Sequence, residues 1–176
     1  MSISPEFALL GFLSQQPAHG YELHQRLVTD LSQVWHISLS QTYNILTRLE
    51  TQGLIVGTLQ EQEKLPARRL FSLTEAGRQR FEAWLEMPSG CSVRAIRVEF
   101  ITRLYFAQAI SPEFSQLLID SQAAQIQAGI IQLHTTLGQI PPAQVFNRLG
   151  IELRIRQLSS ILDWMVECKR ALQNKP

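Results

Sequence analysis

Polar side chains with amide, hydroxyl and guanidinium groups are concentrated between residues 38 and 53. If the apolar residues of this segment face a core, helical spacing turns a polar set outward: Gln41, Thr42, Asn44, Thr47 and Arg48. Gln and Asn amides pair with adenine edges, Arg pairs with guanine or phosphate, and Thr contacts a thymine methyl or a phosphate. A helix face that simply meets water has a similar composition, so this segment alone leaves both interpretations open.

A second group of basic residues follows in the polar, proline-containing segment 60–69. Lys64, Arg68 and Arg69 have the charge needed to lie along phosphates, whereas Glu61 and Glu63 would repel DNA unless they turned away. This group favours DNA contact over a solvated face. The predicted DNA-contacting residues are Ser38, Ser40, Gln41, Thr42, Tyr43, Asn44, Thr47, Arg48, Lys64, Arg68 and Arg69.

Local signals predict the elements that carry these residues. Helices are expected from Ser4 to about residue 15, over about 19–31, from the N-cap Ser38 to Gly53, and over about 74–86. Ser38 and Gln41 fit a capping box, and Gly53 fits a left-handed C-cap. Residues 54–59 and 69–73 have the composition of two strands joined by a long tip.

The order helix, helix, helix, hairpin, helix is typical of a winged helix-turn-helix, whose third helix enters the major groove. On this interpretation Tyr21 and Tyr43 bury their rings and keep their hydroxyls at the surface. The fold class is thus mainly α with a small β-hairpin wing. Residues 1–87 are expected to form a DNA-binding domain, and residues 91–176 an all-helical dimerisation and effector domain.

The segment 87–90, which contains Pro88 and Gly90, is the expected linker. Beyond it the chain is expected to be helical over about 93–108, 111–137 and a last stretch reaching 173. Apolar residues of the last helix recur at spacings of three and four, which predicts a dimerisation seam at Ile151, Ile155, Leu158, Leu162, Met165 and Leu172. A second apolar stripe contains Leu149, Leu153, Ile161, Trp164 and Cys168. Two apolar sides require two partners, so we expect a homodimer.

The composition excludes several classes of protein, but by itself it does not indicate DNA binding. The 176 residues carry a net charge of +1, and residues 1–86 have seven Lys and Arg but nine Asp and Glu, a net charge of −2. A DNA-binding face must therefore be a local basic patch. We expect no membrane span and no signal peptide, and hence a cytoplasmic location. Cys91 and Cys168 are too far apart for a zinc ribbon.

Four motifs, in register across residues 5–86, resemble the PadR-type regulators. They are Leu10-Gly11-Phe12-Leu13, His19-Gly20-Tyr21-Glu22-Leu23, Thr42-Tyr43-Asn44-Ile45-Leu46-Thr47-Arg48-Leu49-Glu50 with Gly53-Leu54-Ile55, and Arg68-Arg69-Leu70-Phe71-Ser72-Leu73-Thr74-Glu75-Ala76-Gly77. The resemblance implies a winged-helix homodimer that represses transcription, often of its own gene or of a neighbouring detoxification or efflux gene. Residues 97–106 resemble the subgroup with extra C-terminal helices.

The chain departs from the family pattern in two places. Leu39 and Ser40 stand where Pro and Gly are common, and Leu70 and Phe71 stand where two tyrosines are common. The resemblance also implies a small aromatic or apolar effector. Candidates for its pocket are Trp84, Phe100, Phe106 and Trp164. The alternative is that these aromatic side chains simply pack in a core.

The sequence therefore predicts a DNA-binding transcriptional regulator, a repressor acting as a homodimer on a pseudo-palindromic operator. No catalytic motif is present, so an enzyme is not expected, nor is any cofactor or metal. The main alternative is a winged-helix protein-interaction module without DNA binding, which the acidic balance of residues 1–86 supports. A metal-responsive sensor is a third alternative, because His19, His24 and His36 could pair around a metal.

Overall fold

The computed structural model describes residues 4–60 and 68–173. Lys64, Glu61 and Glu63 lie outside the described residues. The chain divides into two compact units, one ending at Met87 and the other beginning at Pro88.

The N-terminal unit contains four helices and three short strands among its described residues. In chain order these are α1 (Glu6–Gln15), β1 (Ala18–His19), α2 (Gly20–Asp30), α3 (Leu39–Thr51), β2 (Ile55–Gln60), β3 (Arg68–Leu73) and α4 (Glu75–Glu86). The sheet is antiparallel with the order β1-β3-β2, and Phe71 on the central strand faces both Ala18 and Gly57. This is the fold of a winged helix, as the sequence predicted.

The strand β1 was not expected from the sequence. It is only two residues long and is defined by its pairing with Leu70 and Phe71, some fifty residues away in the chain. Two residues are too few to show the alternation by which a strand is recognised. Its formation therefore depends on the assembled sheet rather than on a local signal.

The core of this unit is built around α1, which is apolar on almost every side. Leu9, Leu10 and Phe12 are fully buried, and α2 and α3 contribute further buried leucines. A helix that is apolar all round is stable only when other elements surround it. Each such side chain contributes about 1.5–3 kcal/mol through the removal of its surface from water.

The ends of α3 confirm the expected caps. The Gln41 backbone N–H donates to Ser38 Oγ at 3.2 Å, and the Ser38 N–H donates to Gln41 Oε1 at 2.8 Å. After the last turn, Gly53 adopts a φ of 69°. Glycine takes this left-handed conformation without the steric penalty of a side chain. The Leu54 N–H then donates to the Leu49 carbonyl, which closes the helix.

The C-terminal unit is helical throughout its regular elements. It contains α5 (Val93–Ala95), a π-helical turn (Ile96–Phe100), α6 (Ile101–Ile110), α7 (Pro112–Gln139) and α8 (Val145–Gln173). Ser111 caps α7, with Pro112 at its first position. None of the described helices is both long and apolar enough to span a membrane.

The predicted dimerisation seam faces the protein's own helical core, so this prediction was wrong. Leu158 and Met165 are buried together with Phe100, Ile119 and Ile126. The other seam residues pack against the same core: Ile151, Ile155, Leu162 and Leu172. A heptad pattern shows that a helix has a partner but does not show whether that partner belongs to the same chain. Here α7 is nearly as long as α8 and supplies the partner.

The expected linker is anchored to the helical unit at Ser89, which is buried. The Ser89 N–H donates to Gln122 Oε1 at 2.7 Å, and Gln122 Nε2 donates back to the Ser89 carbonyl at 3.0 Å. Arg103 Nη1 donates to Ser89 Oγ at 2.7 Å. Burial lowers the pKa of Arg103, and the nearby Glu99 partly offsets this effect. Residue 89 is therefore a fixed part of the helical unit.

Candidate nucleic-acid interface

The helix α3 presents a polar face and buries an apolar one. Thr42, Ile45, Leu46 and Leu49 are buried. The exposed residues include six of the predicted contact residues: Ser40, Gln41, Tyr43, Asn44, Thr47 and Arg48. Most of the predicted contact residues of this helix are therefore available to a partner.

Thr42 is the exception, and its assignment to the DNA-contacting set is corrected here. It is fully buried, its hydroxyl donates to the Ser38 carbonyl at 3.1 Å, and it lies 3.1 Å from His24 Nδ1. The positions 42, 45, 46 and 49 follow the helical repeat of the core face, which explains its burial. Its satisfied hydroxyl makes a polar residue tolerable there.

The two tyrosines of this unit are more exposed than the sequence suggested. Tyr43 takes the outward position next to Thr42 and is 44% exposed, and Tyr21 on α2 is 55% exposed. Gln25 Nε2 donates to the Tyr21 hydroxyl at 3.0 Å. Both rings therefore belong to the surface rather than to the core.

Arg48 is held by a carboxylate from the first helix. Its Nη2 lies 3.0 Å from Glu6 Oε2, and Arg80 Nη2 on α4 lies 3.2 Å from Glu6 Oε1. Glu6 is largely buried, with 12% of its side chain exposed, whereas about half of each guanidinium side chain remains exposed. Arg48 is thus oriented by Glu6 and is still accessible from solvent.

Arg69 is held in a similar way by Glu50 at the end of α3. The same Glu50 Oε1 accepts from Arg69 and from the Gly57 N–H, the latter at 3.0 Å. His19 Nδ1 lies 2.9 Å from the Arg69 carbonyl oxygen. These contacts tie the two strands of the wing to α3 and to the start of α2. Arg68, next to Arg69, is exposed.

A cleft of about 780 Å³ joins the two predicted contact groups. Tyr43 and Thr47 of α3 line one side of it, and Arg68 and Arg69 of β3 line the other. The remaining lining residues are His19, Gly20, Tyr21, Glu22 and Phe71. The polar face of α3 and the arginines of the wing therefore belong to one continuous surface.

Several acids of this unit are engaged in internal contacts. Glu6 and Glu50 pair with arginines, and Glu22 Oε2 accepts from the His19 N–H at 2.9 Å in the cap of α2. Carboxylates used in this way oppose an approaching phosphate less than free ones do. The net negative charge of residues 1–86 is therefore compatible with a locally basic surface.

Both units match known protein families. Residues 9–83 match the Transcriptional regulator PadR-like family, and residues 96–173 match the family described as Virulence activator alpha C-term. The chain is 26% identical over 128 residues to the negative transcriptional regulator PadR of Bacillus subtilis strain 168, covering 73% of this chain and 70% of that protein. This chain is a PadR-family transcriptional regulator.

Solved PadR structures resemble this PadR-family chain. Bacillus subtilis PadR in complex with operator DNA is 20% identical, covers 95% of this chain and 98% of its own, and gives a TM-score of 0.48. A PadR-like regulator from Bacillus cereus strain ATCC 14579 is 29% identical over 44% of this chain and 74% of its own, with a TM-score of 0.39. The family consists of transcriptional regulators and not of enzymes.

The four aromatic candidates for an effector pocket fill the cores of the two units of this PadR-family regulator. Trp84 is buried in the N-terminal unit and stacks on Phe7, with ring centroids 4.6 Å apart. Phe100 and Phe106 are buried in the helical unit, where Trp164 meets Phe100 edge-on at 6.3 Å. None of the four lines a described cleft. Their role in an effector pocket stays a prediction, because aromatic side chains fill a core as readily as they line a cavity.

No group of three or more His, Cys, Asp or Glu in residues 4–60 and 68–173 is arranged to hold a metal ion. His19 and His24 instead make the hydrogen bonds with Arg69 and Thr42 described above. In the helical unit, partial burial and the neighbouring Glu167 raise the pKa of Cys168 to about 11. That thiol therefore stays protonated at neutral pH.

Proposed function

We propose that this PadR-family regulator binds duplex DNA through α3 and the wing. One observation carries the proposal: Tyr43 and Thr47 on the exposed face of α3 line the same cleft as Arg68 and Arg69 of β3. The shape of a winged helix allows α3 to enter the major groove while β3 follows the backbone. The Bacillus subtilis relative, which was solved with operator DNA, is consistent with this use of the fold.

The contact residues divide by chemistry into two groups. Gln41, Asn44 and Arg48 carry the amide and guanidinium groups that pair with base edges in the major groove. A second group is suited to phosphate contacts that position the protein without reading sequence: Ser38, Ser40, Tyr43, Thr47, Lys64, Arg68 and Arg69. Ser38 and Gln41 also cap α3, so part of their hydrogen-bonding capacity is already used.

We further propose that the regulator is a homodimer assembled through α8. The seam predicted from the sequence packs inside the chain, and Ile161, Trp164 and Cys168 of the second predicted stripe pack against the same core. The N-terminal half of α8 nevertheless has an exposed stripe, which consists of Phe146, Leu149 and Leu153, and Phe146 is 88% exposed. Two copies would place their α3 helices in major grooves roughly 34 Å apart on a pseudo-palindromic site.

The biological output we propose is repression in the cytoplasm, where an operator-bound dimer blocks polymerase. The relative in Bacillus subtilis is named a negative regulator, and its structure has been solved with p-coumaric acid. By analogy, we propose that a small molecule bound in the helical unit of this chain alters operator binding.

Two arginine variants test the DNA-binding proposal. Arg48→Ala and Arg68→Ala should each weaken binding to a fragment from the protein's own upstream region, and each should reduce the slope of log K against log salt by about one. Arg170→Ala near the end of α8 is the control, since it removes the same charge from an exposed position of the other unit. Unchanged salt slopes in both variants would show that these arginines do not contact DNA.

A winged-helix protein-interaction module is the alternative. It is favoured by the net charge of −2 over residues 1–86 and by the carboxylates that already hold Arg48 and Arg69. A gel-shift experiment with the upstream region separates the two functions. If the protein shifts this DNA and competitor DNA of unrelated sequence does not abolish the shift, the regulator is supported. If no shift is seen at low salt, the interaction module is supported.

A further inference from the structure

The motif at residues 19–22 lies in the proposed DNA-binding cleft, although none of its residues is among the predicted DNA contacts. All four residues line the cleft that also contains Tyr43, Arg68 and Arg69. The motif begins at His19, which is the last residue of β1 and the N-cap of α2. It therefore belongs to the surface that the proposed function assigns to DNA.

One nitrogen of the His19 ring is fixed by the wing. Nδ1 lies 2.9 Å from the Arg69 carbonyl oxygen. A carbonyl oxygen can only accept a hydrogen bond, so Nδ1 carries the proton of the neutral ring. The other nitrogen, Nε2, then has a lone pair and becomes a donor only when the ring is protonated. Neutral His19 therefore offers no donor to a phosphate in the cleft, whereas protonated His19 offers a charged one.

The residue after His19 packs directly against α3. A methyl group on Gly20 would lie only 2.6 Å from Cε1 of the Tyr43 ring, so glycine allows this close approach. Tyr43 itself belongs to the exposed face of α3. The start of α2 is therefore held by the wing through His19 and by the exposed face of α3 through Gly20.

His19 is the residue in this lining whose charge changes near neutral pH. The other titratable side chains that line the cleft are Tyr21 and Glu22 of α2, Tyr43 of α3, and Arg68 and Arg69 of β3. Glu22 accepts from the His19 backbone N–H at 2.9 Å, and Arg69 is paired with Glu50. Side chains of the Tyr, Glu and Arg types ordinarily keep one charge state between about pH 5.5 and 8, whereas histidine does not.

We propose that protonated His19 contacts a DNA phosphate through Nε2, so that the regulator binds DNA more tightly as the pH falls. The contact rests on the proposed function, because it requires DNA in this cleft. Nε2–H donates a charge-assisted hydrogen bond to the phosphate oxygen, and the proton comes from solvent. DNA affinity is therefore highest at low pH and is lost as the pH rises through the range in which histidine deprotonates. A phosphate contact positions the protein and reads no base.

The affinity of the full-length protein for a duplex from its own upstream region tests this contact. Fluorescence anisotropy at constant salt should show about tenfold tighter binding at about pH 5.5 than at about pH 8, because one charged hydrogen bond is gained. The slope of log K against log salt should also be steeper by about one at the lower pH. A duplex of unrelated sequence should show the same two effects, because the contact is to the backbone.

His19→Asn should lose both effects and bind as the wild type does at about pH 8, where the histidine ring is neutral. The asparagine side-chain N–H donates to the Arg69 carbonyl in place of Nδ1, and asparagine is a good N-cap. His19→Lys is the second variant. Its charge persists over this pH range, so its affinity should be the same at both pH values and no weaker than that of His19→Asn.

Two other histidines of the same unit give matched controls. His24 Nδ1 lies 3.1 Å from Thr42 Oγ1 and His24 does not line the cleft, whereas His36 is exposed just before α3. His24→Asn and His36→Asn should both keep the pH dependence of the wild type. The same pH dependence in His19→Asn as in the wild type would overturn the proposal.

The result also separates this contact from the proposed function. A wild-type protein that binds the duplex with one affinity at every pH would contradict the His19 contact and leave DNA binding intact. A protein that binds neither duplex at low salt, at any pH, would contradict both.

Discussion

Glu6 is the residue on which two arginines of the N-terminal unit converge. Its carboxylate lies within 3.2 Å of both Arg48 and Arg80, and it is much more buried than either partner. A carboxylate in this position orients Arg48 but also competes with DNA phosphate for the same guanidinium. Its net effect on DNA binding therefore depends on which contribution is larger.

We predict that Glu6→Gln tightens operator binding at low salt. Removing the carboxylate leaves one more uncompensated positive charge at the DNA-facing side, so the salt slope should steepen by about one. The loss of stability should be about 1 kcal/mol or less, because the arginine partners are half exposed. Glu82→Gln, which removes an exposed carboxylate from the same unit, is the control for net charge. Weaker binding by Glu6→Gln would show that orienting Arg48 is the larger effect.

Residues 42 and 43 show what the sequence leaves undecided at this scale. The sequence predicts that α3 is amphipathic, but its pattern fits a helix that exposes Thr42 as well as one that exposes Tyr43. The choice depends on the hydrogen bonds that Thr42 makes with Ser38 and near His24, an α2 residue 18 positions earlier. Such a partner becomes known only when the helices are packed.

Among the elements, α4 depends on a close approach to the chain that precedes β2. Gly77 lies in the first turn of α4, and the Gly77 N–H donates to the N-cap Thr74 Oγ at 3.1 Å. The Thr74 hydroxyl in turn donates to the Gly53 carbonyl at 2.8 Å. A methyl group at position 77 would overlap the backbone carbonyl of Leu54. The contact between α4 and the wing therefore requires a residue without a side chain.

We predict that Gly77→Ala destabilises the N-terminal unit by about 1–3 kcal/mol, because backbone atoms must shift to admit the methyl group. Urea unfolding followed by far-UV circular dichroism, which reports the helices of both units, measures this change. Gly150→Ala is the matched control. It lies in α8 with no atom near the added methyl group, so it should raise stability by about 0.5–1 kcal/mol. A Gly77→Ala variant as stable as the wild type would show that α4 can shift at no cost.

For the whole molecule, the exposed stripe of α8 determines whether the chain works alone or in pairs. Phe146, Leu149 and Leu153 lie at helical spacing and are each more than half exposed. Burial of such side chains against a second copy would stabilise a dimer by about 1.5–3 kcal/mol per residue.

We predict that the double variant Leu149→Glu with Leu153→Glu raises the dimer dissociation constant by about a hundredfold or more, because two apolar contacts are lost and two charges must be buried. Sedimentation equilibrium measures the change. Ser121→Glu, which adds a charge at an exposed position of α7 outside the stripe, should leave the dimer intact. A wild-type protein that stays monomeric at high concentration would contradict the dimer itself.

The sequence by itself determined the helices, the caps of α3 and α7, and the wing strands of this protein. The start of α1 differs, because Pro5 and not Ser4 is its N-cap. These features follow from signals that act within a few residues, such as the Ser38–Gln41 capping box and the positive φ of Gly53. It also indicated the family, because the four motifs occur in register along the chain.

Only the tertiary structure decided which surfaces remain for function. It assigned the α8 seam to the chain's own core, turned Tyr43 outward in place of Thr42, and paired Arg48 and Arg69 with carboxylates 42 and 19 positions away. A periodic pattern shows that a face is buried but does not name its partner. That partner is set by contacts between residues far apart in the chain, which exist only after the elements have packed.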